Sequence, residues 1–471
     1  RQENPFLNLG ELLGLTDQAN VQTYGSAGSL ASLSIRGLGS AHTNVLWNGM
    51  PLNSLTTGIS DLSMIPVAPF SEISLAYGSS GSLYGAGAFG GSVSLDHDPD
   101  WDNRQRFQTM IEAGSHGSKA VHMDLETGNN TVQFKMSPFF QAARNDFLYE
   151  DSEKPDRPIL RREHNFFQNY GVLQNLNIRL PRQQMLEFGF WYQVKYNQIP
   201  LQMGSYGQSA QSQTDSTVKV YLKWNQRFAK TSIEARMGYA YDYLRFTDRQ
   251  TGPDGGYAID SRISNKRAFF DVNARLYQLN RLVIDVGADA SLLAGSTGNY
   301  LDGMAREYRV NMVGSAKYSL DRMTINGSLR WHSDNFLKSK ILYSLGIRWP
   351  VIPDRWMLRA HLSNRYRLPT FNDRYWHPGG NLDLLPETGW GTDVGSTLGL
   401  LDAGIQHHRL QWQFSAHSTW VRNWIQWVPA DGYWSPVNFK EVWARGIESG
   451  LTYSFNQEPL NFRAVVDYAW T

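Results

Sequence analysis

The chain has 471 residues and a nearly even charge balance, with 44 Lys and Arg against 43 Asp and Glu. That balance disfavours a nucleic-acid-binding protein, because contacts with phosphates usually require a basic surface. The absence of cysteine excludes disulfides, thiolate metal sites and cysteine nucleophiles. The sequence has no run of about 20 apolar residues, so it contains no transmembrane helix.

The composition is typical of a transmembrane β-barrel. The chain contains 16 Trp, 23 Tyr, 22 Phe and 42 Gly, and only 18% of its residues are charged. Soluble domains usually have roughly 25% charged residues. Barrel strands alternate apolar and polar residues, so the sequence remains hydrophilic on average. A large soluble β-protein would have a similar composition, and that alternative stays open at this point.

The first hundred residues differ from the rest of the chain. Residues 1–104 are rich in Gly, Ser and Leu and lack long alternating runs. From Gln105 onward, segments of about ten residues alternate with a period of two. The sequence therefore predicts an N-terminal domain over residues 1–104 and a sheet of many strands over residues 105–471.

Alternation is clearest at residues 218–224, 282–292 and 323–331. In the second of these, Leu, Ile, Val and Ala occupy one face, while Asp285 and Asp289 occupy the other. This period is typical of a half-buried strand. Residues 410–420 and 464–470 end their apolar faces in aromatic residues, as expected of an interfacial girdle.

Short turns alternate with long polar loops along the chain. Long loops are predicted at residues 144–165, 200–216, 247–263, 294–304 and 367–389. Outer-membrane barrels have short periplasmic turns and long extracellular loops, whereas a soluble sandwich has no reason to keep that asymmetry. About 17 strands are expected after Gln105. Because such barrels usually have an even number of strands, we expect further strands beyond Thr471.

Three segments resemble a known family. Residues 33–53 read LSIRGLGSAHTNVLWNGMPLN, and residues 73–95 read ISLAYGSSGSLYGAGAFGGSVSL. Both resemble the plug domain of TonB-dependent outer-membrane receptors. Residues 364–387, NRYRLPTFNDRYWHPGGNLDLLPE, resemble an Arg-x-Pro box and a Gly-Asn-x-x-Leu-x-Pro-Glu box in the barrel of that family.

The resemblance implies an all-β fold: an antiparallel transmembrane barrel of the 22-strand type, with the plug in its lumen. It places the protein in the bacterial outer membrane, surrounded by outer-membrane lipid. It also implies a TonB-type energy-transducing partner on the periplasmic side, whose docking segment should precede Arg1. A surface lipoprotein is a further partner that the resemblance allows. A plug with little core of its own is expected, because it folds inside a polar lumen.

The resemblance also assigns candidate residues. Arg36 is expected to pair with a lumen-facing carboxylate of the barrel, although Tyr77 and Gly78 depart from the Arg found in many members. Residues 53–63 most resemble cobalamin receptors, so a corrinoid is the preferred ligand, with haem or a ferric siderophore as the alternative. The plug apices at residues 23–32 and 54–60 and several loop aromatics are expected to touch the ligand: Tyr24, Ser26, Ser29, Leu30, Trp47, Ser54, Leu55, Thr56, Thr57, Tyr206, Tyr375, Trp376 and His377.

Several motifs have weaker interpretations. Asp146, Glu150 and Asp151 form a calcium candidate in a charged loop, for which a solvated loop is the simpler explanation. His377 is a haem-ligand candidate, or an ordinary loop residue. Gly85, Gly87 and Gly90 form a G-x-G-x-x-G pattern, but a strand follows it instead of a helix, which argues against a dinucleotide site. No required cofactor is predicted.

Catalytic motifs are lacking, since the sequence contains neither G-x-S-x-G nor H-E-x-x-H. We therefore expect a transporter and not an enzyme. A passive or structural barrel, such as a porin or a scaffold in a surface complex, is the alternative from a different class.

Overall fold

The computed structural model describes residues 6–15, 19–77, 89–102, 105–249, 259–279, 281–335, 339–401, 408–457 and 460–471. Its N-terminal part is a small domain, the plug, made of one helix and six short strands. These are α1 (Leu9–Gly14), β1 (Asn20–Thr23), β2 (Ala31–Ser34), β3 (Thr43–Trp47), β4 (Met50–Pro51), β5 (Glu72–Tyr77) and β6 (Gly91–Asp96). Short 3-10 helices span Ser40–His42 and Leu62–Met64.

The plug strands form one hairpin and one four-stranded sheet. The hairpin pairs β1 with β2, and the sheet has the order β4-β3-β6-β5, in which β3 and β6 run parallel. Contrary to the expectation of little core, side chains such as Ile35, Val67 and Val93 are fully buried. This core continues into an apolar patch of the barrel wall that includes Leu173 and Trp191. The plug is stable in the lumen because part of the wall completes its core.

The barrel consists of seventeen strands among the described residues. They are β7 (Gln105–Ala113), β8 (Lys119–Gly128), β9 (Val132–Ala143), β12 (Phe167–Leu180), β13 (Gln184–Ile199), β14 (Gln211–Arg227), β15 (Thr231–Asp248), β16 (Ile259–Leu279), β17 (Leu282–Thr297), β18 (Met304–Ser319), β19 (Thr324–Asp334), β20 (Lys340–Ile352), β21 (Trp356–Arg367), β22 (Glu387–Leu401), β23 (His408–Pro429), β24 (Trp434–Gln457) and β25 (Leu460–Trp470). The loop after β9 carries a short hairpin, β10 (Leu148–Glu150) with β11 (Ile159–Arg161), and the loop after β21 carries helix α2 (Phe371–Tyr375).

Consecutive barrel strands pair antiparallel around a closed ring in which β25 precedes β7. Because seventeen strands alternate in direction, the first and last run the same way. Both are exposed along most of their length. The all-β fold with a plug in a transmembrane barrel is confirmed, and strands beyond Thr471 stay a prediction.

The wall alternates as the sequence predicts. In β17, Val286 and Leu292 are exposed on the outer face, whereas Asp289 faces the lumen and pairs with Arg330 at 2.9 Å. Aromatic side chains, including Trp331 and Trp349, are exposed on the outer face. None of the described helices combines the length and apolarity that a membrane-spanning helix needs.

The strands are longer than the predicted ten residues. β23 has 22 residues and β24 has 24. A bilayer requires only about 9–11 tilted residues per strand, so these strands extend beyond the membrane. β14 already begins at Gln211, inside the loop predicted over residues 200–216.

Candidate functional site

The first apex (residues 23–32) is the tip of the β1–β2 hairpin. Tyr24 N donates to Leu30 O at 3.0 Å, and both side chains are exposed, at 63% for Tyr24 and 42% for Leu30. The hydroxyl of Ser26 donates to Asn165 Oδ1 of the wall at 2.9 Å. Ser29 is half-buried. Asn145 Nδ2 of the barrel donates to Ala27 O at 2.9 Å, so the apex presents Tyr24 and Leu30 outward while the barrel holds its backbone.

The second apex (residues 54–60) is a turn that meets helix α2. Phe371 N donates to Leu55 O at 3.0 Å and Asn372 N donates to Thr56 O at 3.2 Å, so plug carbonyls accept from the first amides of the helix. The hydroxyls of Ser54 and Thr56 lie 2.7 Å apart. Thr56 is only 5% exposed. Leu55 and Thr56 are thus covered by the β21–β22 loop (residues 368–386).

Thr57 remains exposed at the second apex. Tyr375 and Trp376 pack beside Leu55 in one apolar cluster, with the ring of Tyr375 lying 6.1 Å from that of Tyr300. Burial raises the pKa of Tyr375 to about 12. His377 is exposed, and its backbone N donates to Asn299 O at 2.7 Å. The structure therefore brings the predicted residues of the β21–β22 loop to the second apex.

Trp47 is not available to a ligand, which corrects its prediction as a contact residue. Its side chain is fully buried, with ring centroids 5.4 Å from Trp191 and 5.0 Å from Tyr221. It anchors β3 to the wall. Asn48 and Gly49, which follow it, have positive φ and form the turn between β3 and β4, while Trp47 itself points into the core.

Tyr206 lies in another loop pair. It is 79% exposed, and the Lys154 ammonium lies 4.7 Å from its ring centroid. Gly204 N donates to the buried carboxylate of Asp151 at 2.9 Å, which joins the loops after β9 and β13. No described contact links Tyr206 to either apex.

The three calcium candidates each face a basic side chain. Asp151 lies 3.5 Å from Lys154, Asp146 lies 3.5 Å from Arg161, and Glu150 lies 3.7 Å from Arg157. Within the described part of the chain, no three His, Asp or Glu side chains are grouped to hold a metal. Calcium binding stays a prediction without a preformed site among these residues.

Asp61 connects the two apices, a role that the sequence did not predict. Its Oδ1 accepts from Ala31 N at 3.1 Å at the end of the first apex, and Asp61 itself follows the second. Its Oδ2 lies 2.8 Å from the Nζ of Lys195, a wall residue that is 2% exposed. Lys195 also donates to Ser63 Oγ at 2.7 Å.

Arg36 lies between two barrel carboxylates, the kind of partner that the resemblance implies. Its Nε and Nη2 each donate to Glu448 at 3.0 Å, and Nη1 contacts Asp393. Burial opposes its charge, but Glu448 and Asp393 outweigh it and raise the pKa of Arg36. Tyr77, which departs from the family pattern, lies under this guanidinium at 5.4 Å.

A second anchor joins the plug to both barrel boxes. Arg367 makes a bidentate contact with Glu387 at 2.7 and 2.8 Å, and Glu387 is fully buried. The plug residue His42 contacts the same carboxylate at 2.5 Å and stacks on Trp424, with centroids 4.4 Å apart. The two boxes thus close the base of the β21–β22 loop against the plug.

A cavity of about 540 Å³ lies between β3, β4 and the wall. Its lining extends from Thr370 near the second apex to Lys223 and Asp96 at the opposite end. Charged groups of both signs line it, among them Arg236, Asp271, Asp289, Arg309 and Arg330. Because plug and wall residues both line it, this cavity is a candidate route past the plug.

Comparison with known families identifies the architecture. Residues 1–92 match the family described as the TonB-dependent Receptor Plug Domain. Residues 285–471 match the family described as TonB dependent receptor-like, beta-barrel. Together the two matches cover more than half of the chain, in the order expected for plug and barrel. The chain belongs to the TonB-dependent receptors.

Similarities to individual proteins support this assignment. The receptor is 24% identical over 468 residues to the vitamin B12 transporter BtuB of Photobacterium profundum, with 94% of this chain and 70% of that protein covered. It superposes on the copper transporter OprC with a TM-score of 0.78 at 14% identity, over 99% of this chain and 76% of that one. It also superposes on the Serratia marcescens hemophore receptor HasR with a TM-score of 0.77 at 13% identity, over 98% and 79%. The likeness to these two solved structures concerns the fold.

The receptor is accordingly an outer-membrane protein with a plugged lumen. Resemblance identified Arg36 and the two barrel boxes, and it placed Tyr24, Leu30 and Thr57 on exposed apices. It missed Asp61, His42 and Lys195. The only available signal for Lys195 was a cation on the polar face of an alternating strand, and that pattern does not reveal a partner in the plug.

Proposed function

We propose that this receptor imports a corrinoid, such as vitamin B12, across the outer membrane. The observation that carries the proposal is the likeness to the Photobacterium vitamin B12 transporter, which extends over 94% of the chain. An uptake function of this class also agrees with a lumen filled by the plug, since an open pore would need no such domain.

The proposed docking surface is formed by exposed groups at the extracellular mouth. Tyr24 and Leu30 of the first apex, Thr57 of the second apex and His377 of the β21–β22 loop are exposed. A corrinoid combines an apolar macrocycle with many amides. Aromatic and aliphatic side chains beside hydroxyl groups suit that combination, because apolar area supplies affinity and a few polar groups fix orientation.

Energy coupling is proposed to act on the plug from the periplasmic side through a TonB-type protein. The 540 Å³ cavity beside β3 and β4 would widen if that segment moved. The segment is held by wall residues that donate to plug carbonyls, including Arg236 to Asn48 and Arg267 to Pro51 and Asn53. Water can replace such hydrogen bonds, so the route can open without unfolding the barrel.

Binding of cyanocobalamin to the purified full-length receptor tests the proposal, with haemin and a ferric siderophore in parallel. We expect selective corrinoid binding that is roughly tenfold weaker in Y24A/L30A, the size of loss typical when an apolar anchor is truncated. Tyr318→Ala is the control, because Tyr318 is exposed near the end of β18 that is far from the extracellular mouth. Corrinoid binding that is absent, or equally weakened in the control, contradicts the proposal.

Haem uptake is the alternative favoured by the exposed imidazole of His377. A haem receptor that uses this ligand should lose haemin binding in His377→Ala, whereas corrinoid binding should change little. A passive barrel is distinguished by reconstitution in liposomes: solute leakage through the full-length protein would favour it, and a sealed membrane would count against it.

A further inference from the structure

An apolar groove of about 360 Å³ lies on the outer wall of the barrel. It runs across strands β15 to β18, and its side chains point away from the lumen. Their chain neighbours Arg267, Leu293 and Glu307 are on the opposite face, where Arg267 contacts the plug and Leu293 and Glu307 are 4% and 5% exposed. The groove therefore faces the membrane and cannot belong to the ligand site in the mouth.

Strand register arranges the groove in two rows. The lower row, on the periplasmic side, is Tyr239–Ala268–Leu292–Tyr308. Each residue in it is the cross-strand partner of the next. Leu292 is 66% exposed, Tyr308 50% and Tyr239 40%. Alanine between larger side chains leaves a depression, and the two tyrosines form its sides.

The upper row contains two cations. Lys266 pairs with Ala294, and Ala294 pairs with Arg306, so a small residue separates the two basic side chains. Neighbouring strands lie about 4.8 Å apart, which places the two backbones roughly 10 Å from each other. Long basic side chains at that separation can reach a single phosphate group between them.

This upper row lies at the extracellular boundary of the apolar band. On β16, the outward residues from Ala268 to Leu276 are apolar, whereas Lys266 and Ser264 above them are polar. The short turn between β16 and β17 lies at the other end of these strands, which is periplasmic in this family. Lys266 and Arg306 are therefore at the level of the lipid headgroups in the outer leaflet.

Both cations lack a carboxylate partner within the described residues, although many other Lys and Arg side chains there pair with Asp or Glu. Arg306 Nε instead contacts Met304 Sδ at 3.0 Å. Cations at a membrane interface often extend towards water. Here two cations lie in one row directly above an apolar depression. The groove therefore has a charged end and an apolar end, and both can bind the same amphiphile.

We propose that this groove, which we call the wall groove (Tyr239, Lys266, Ala268, Leu292, Ala294, Arg306 and Tyr308), binds a phosphate-bearing lipid of the extracellular leaflet. The phosphate is held between Lys266 and Arg306, and an acyl chain lies against Leu292 between the two tyrosines. Charge complementarity selects an anionic headgroup, and the apolar row selects a lipid over a soluble phosphate. Such a lipid fixes the height of strands β15 to β18 in the membrane.

Native mass spectrometry of the detergent-purified full-length receptor tests this site, with diphosphorylated lipid A as the probe. We expect a bound lipid whose affinity falls roughly 30-fold in K266Q/R306Q, as estimated from the contribution of each basic residue near an anionic membrane surface. K230Q/R322Q is the matched control, since it removes the same charge from two exposed positions near periplasmic turns. It should bind lipid A like the wild type.

Ala268→Phe tests the apolar part without changing charge, and it should also weaken binding because the ring fills the depression. Lipid A lacking its phosphates should bind as weakly to the wild type as intact lipid A binds to K266Q/R306Q. Unchanged binding in K266Q/R306Q, or an equal loss in K230Q/R322Q, would overturn the proposal. Displacement of lipid A by millimolar inorganic phosphate would overturn it too, because the site would then recognise free phosphate. Heat-modified mobility on gels verifies that each variant barrel is folded.

Discussion

Lys195 and Asp61 form an ion pair of 2.8 Å between the barrel wall and the plug, 134 residues apart in the chain. The same carboxylate accepts the amide of Ala31 at 3.1 Å, so one side chain holds the ends of both apices. A ligand that contacts Tyr24 in one apex and Thr57 in the other would therefore bind two elements that share an anchor. This arrangement fixes their relative position before any ligand arrives.

Lys195→Met should loosen both apices. The substitution leaves Asp61 without its cation, and removal of one partner from a buried pair typically costs about 3–5 kcal/mol. Hydrogen exchange followed by mass spectrometry should show faster exchange in peptides covering residues 23–32 and 54–60.

Lys219→Met is the control for that experiment. Lys219 pairs with Asp242 at 2.6 Å, and both residues belong to the wall. The control should leave exchange at the apices unchanged. Equal acceleration in both variants would mean that the barrel, and not the Asp61 anchor, determines the order of the apices.

Glu387→Gln should destabilise the receptor more than any exposed carboxylate substitution. Glu387 accepts from Arg367, His42 and the backbone N of Ile425, the last at 2.8 Å, and it is fully buried. Loss of its charge leaves Arg367 buried without a counterion, at a cost of about 3–5 kcal/mol. Equilibrium unfolding in denaturant measures the change.

Glu441→Gln provides the comparison. Its pair with Arg422 spans 3.6 Å between side chains that are 47% and 69% exposed, and such surface pairs contribute about 0–1 kcal/mol. Similar midpoints for both variants would show that the Glu387 cluster does not hold the plug and the barrel together.

The sequence predicts the barrel well wherever one face of a strand meets lipid. Residues 282–292 place Leu, Ile, Val and Ala on one face, and β17 spans Leu282–Thr297. Prediction fails above the membrane, where both faces of a strand are polar. β14 begins with Gln211, which pairs with Ile199 of β13 and Asp248 of β15. Hydrogen bonds to two neighbouring strands form this segment, and no hydrophobic pattern records them.

The site residues also divide into those that a short motif predicts and those whose position depends on distant residues. Arg36 belongs to a short motif, so resemblance alone placed it at the interface. Trp47 lies in the same motif, yet its burial depends on Trp191 and Tyr221, which are distant in the chain. Contacts that form only when the plug enters the lumen leave no local signal in a single sequence.

Gly28→Ala should displace the first apex. Gly28 has a φ of +85°, and a Cβ there would overlap the ring of Phe167 in the wall. The substitution therefore combines backbone strain with a clash. We expect weaker ligand binding and faster exchange at residues 23–32. Gly207→Ala is a matched control, because Gly207 has a φ of +101° with open space around its Cβ position. Equal effects of the two substitutions would contradict the clash with Phe167.

Tyr77 should ionise at unusually high pH. Burial and the nearby Glu448 raise its pKa to about 12 from 10.0, although Arg36 opposes this shift. Because the folded-state pKa is the higher one, the resulting stability is fully present below about pH 10 and is lost as the pH rises through about 12.

The ultraviolet absorbance of tyrosinate, measured as wild type minus Tyr77→Phe, should titrate near the upper value. The thermal stability of the wild type should fall relative to Tyr77→Phe over the same interval. A difference spectrum that titrates at the ordinary tyrosine value would show that Tyr77 is in contact with water and not packed beneath Arg36.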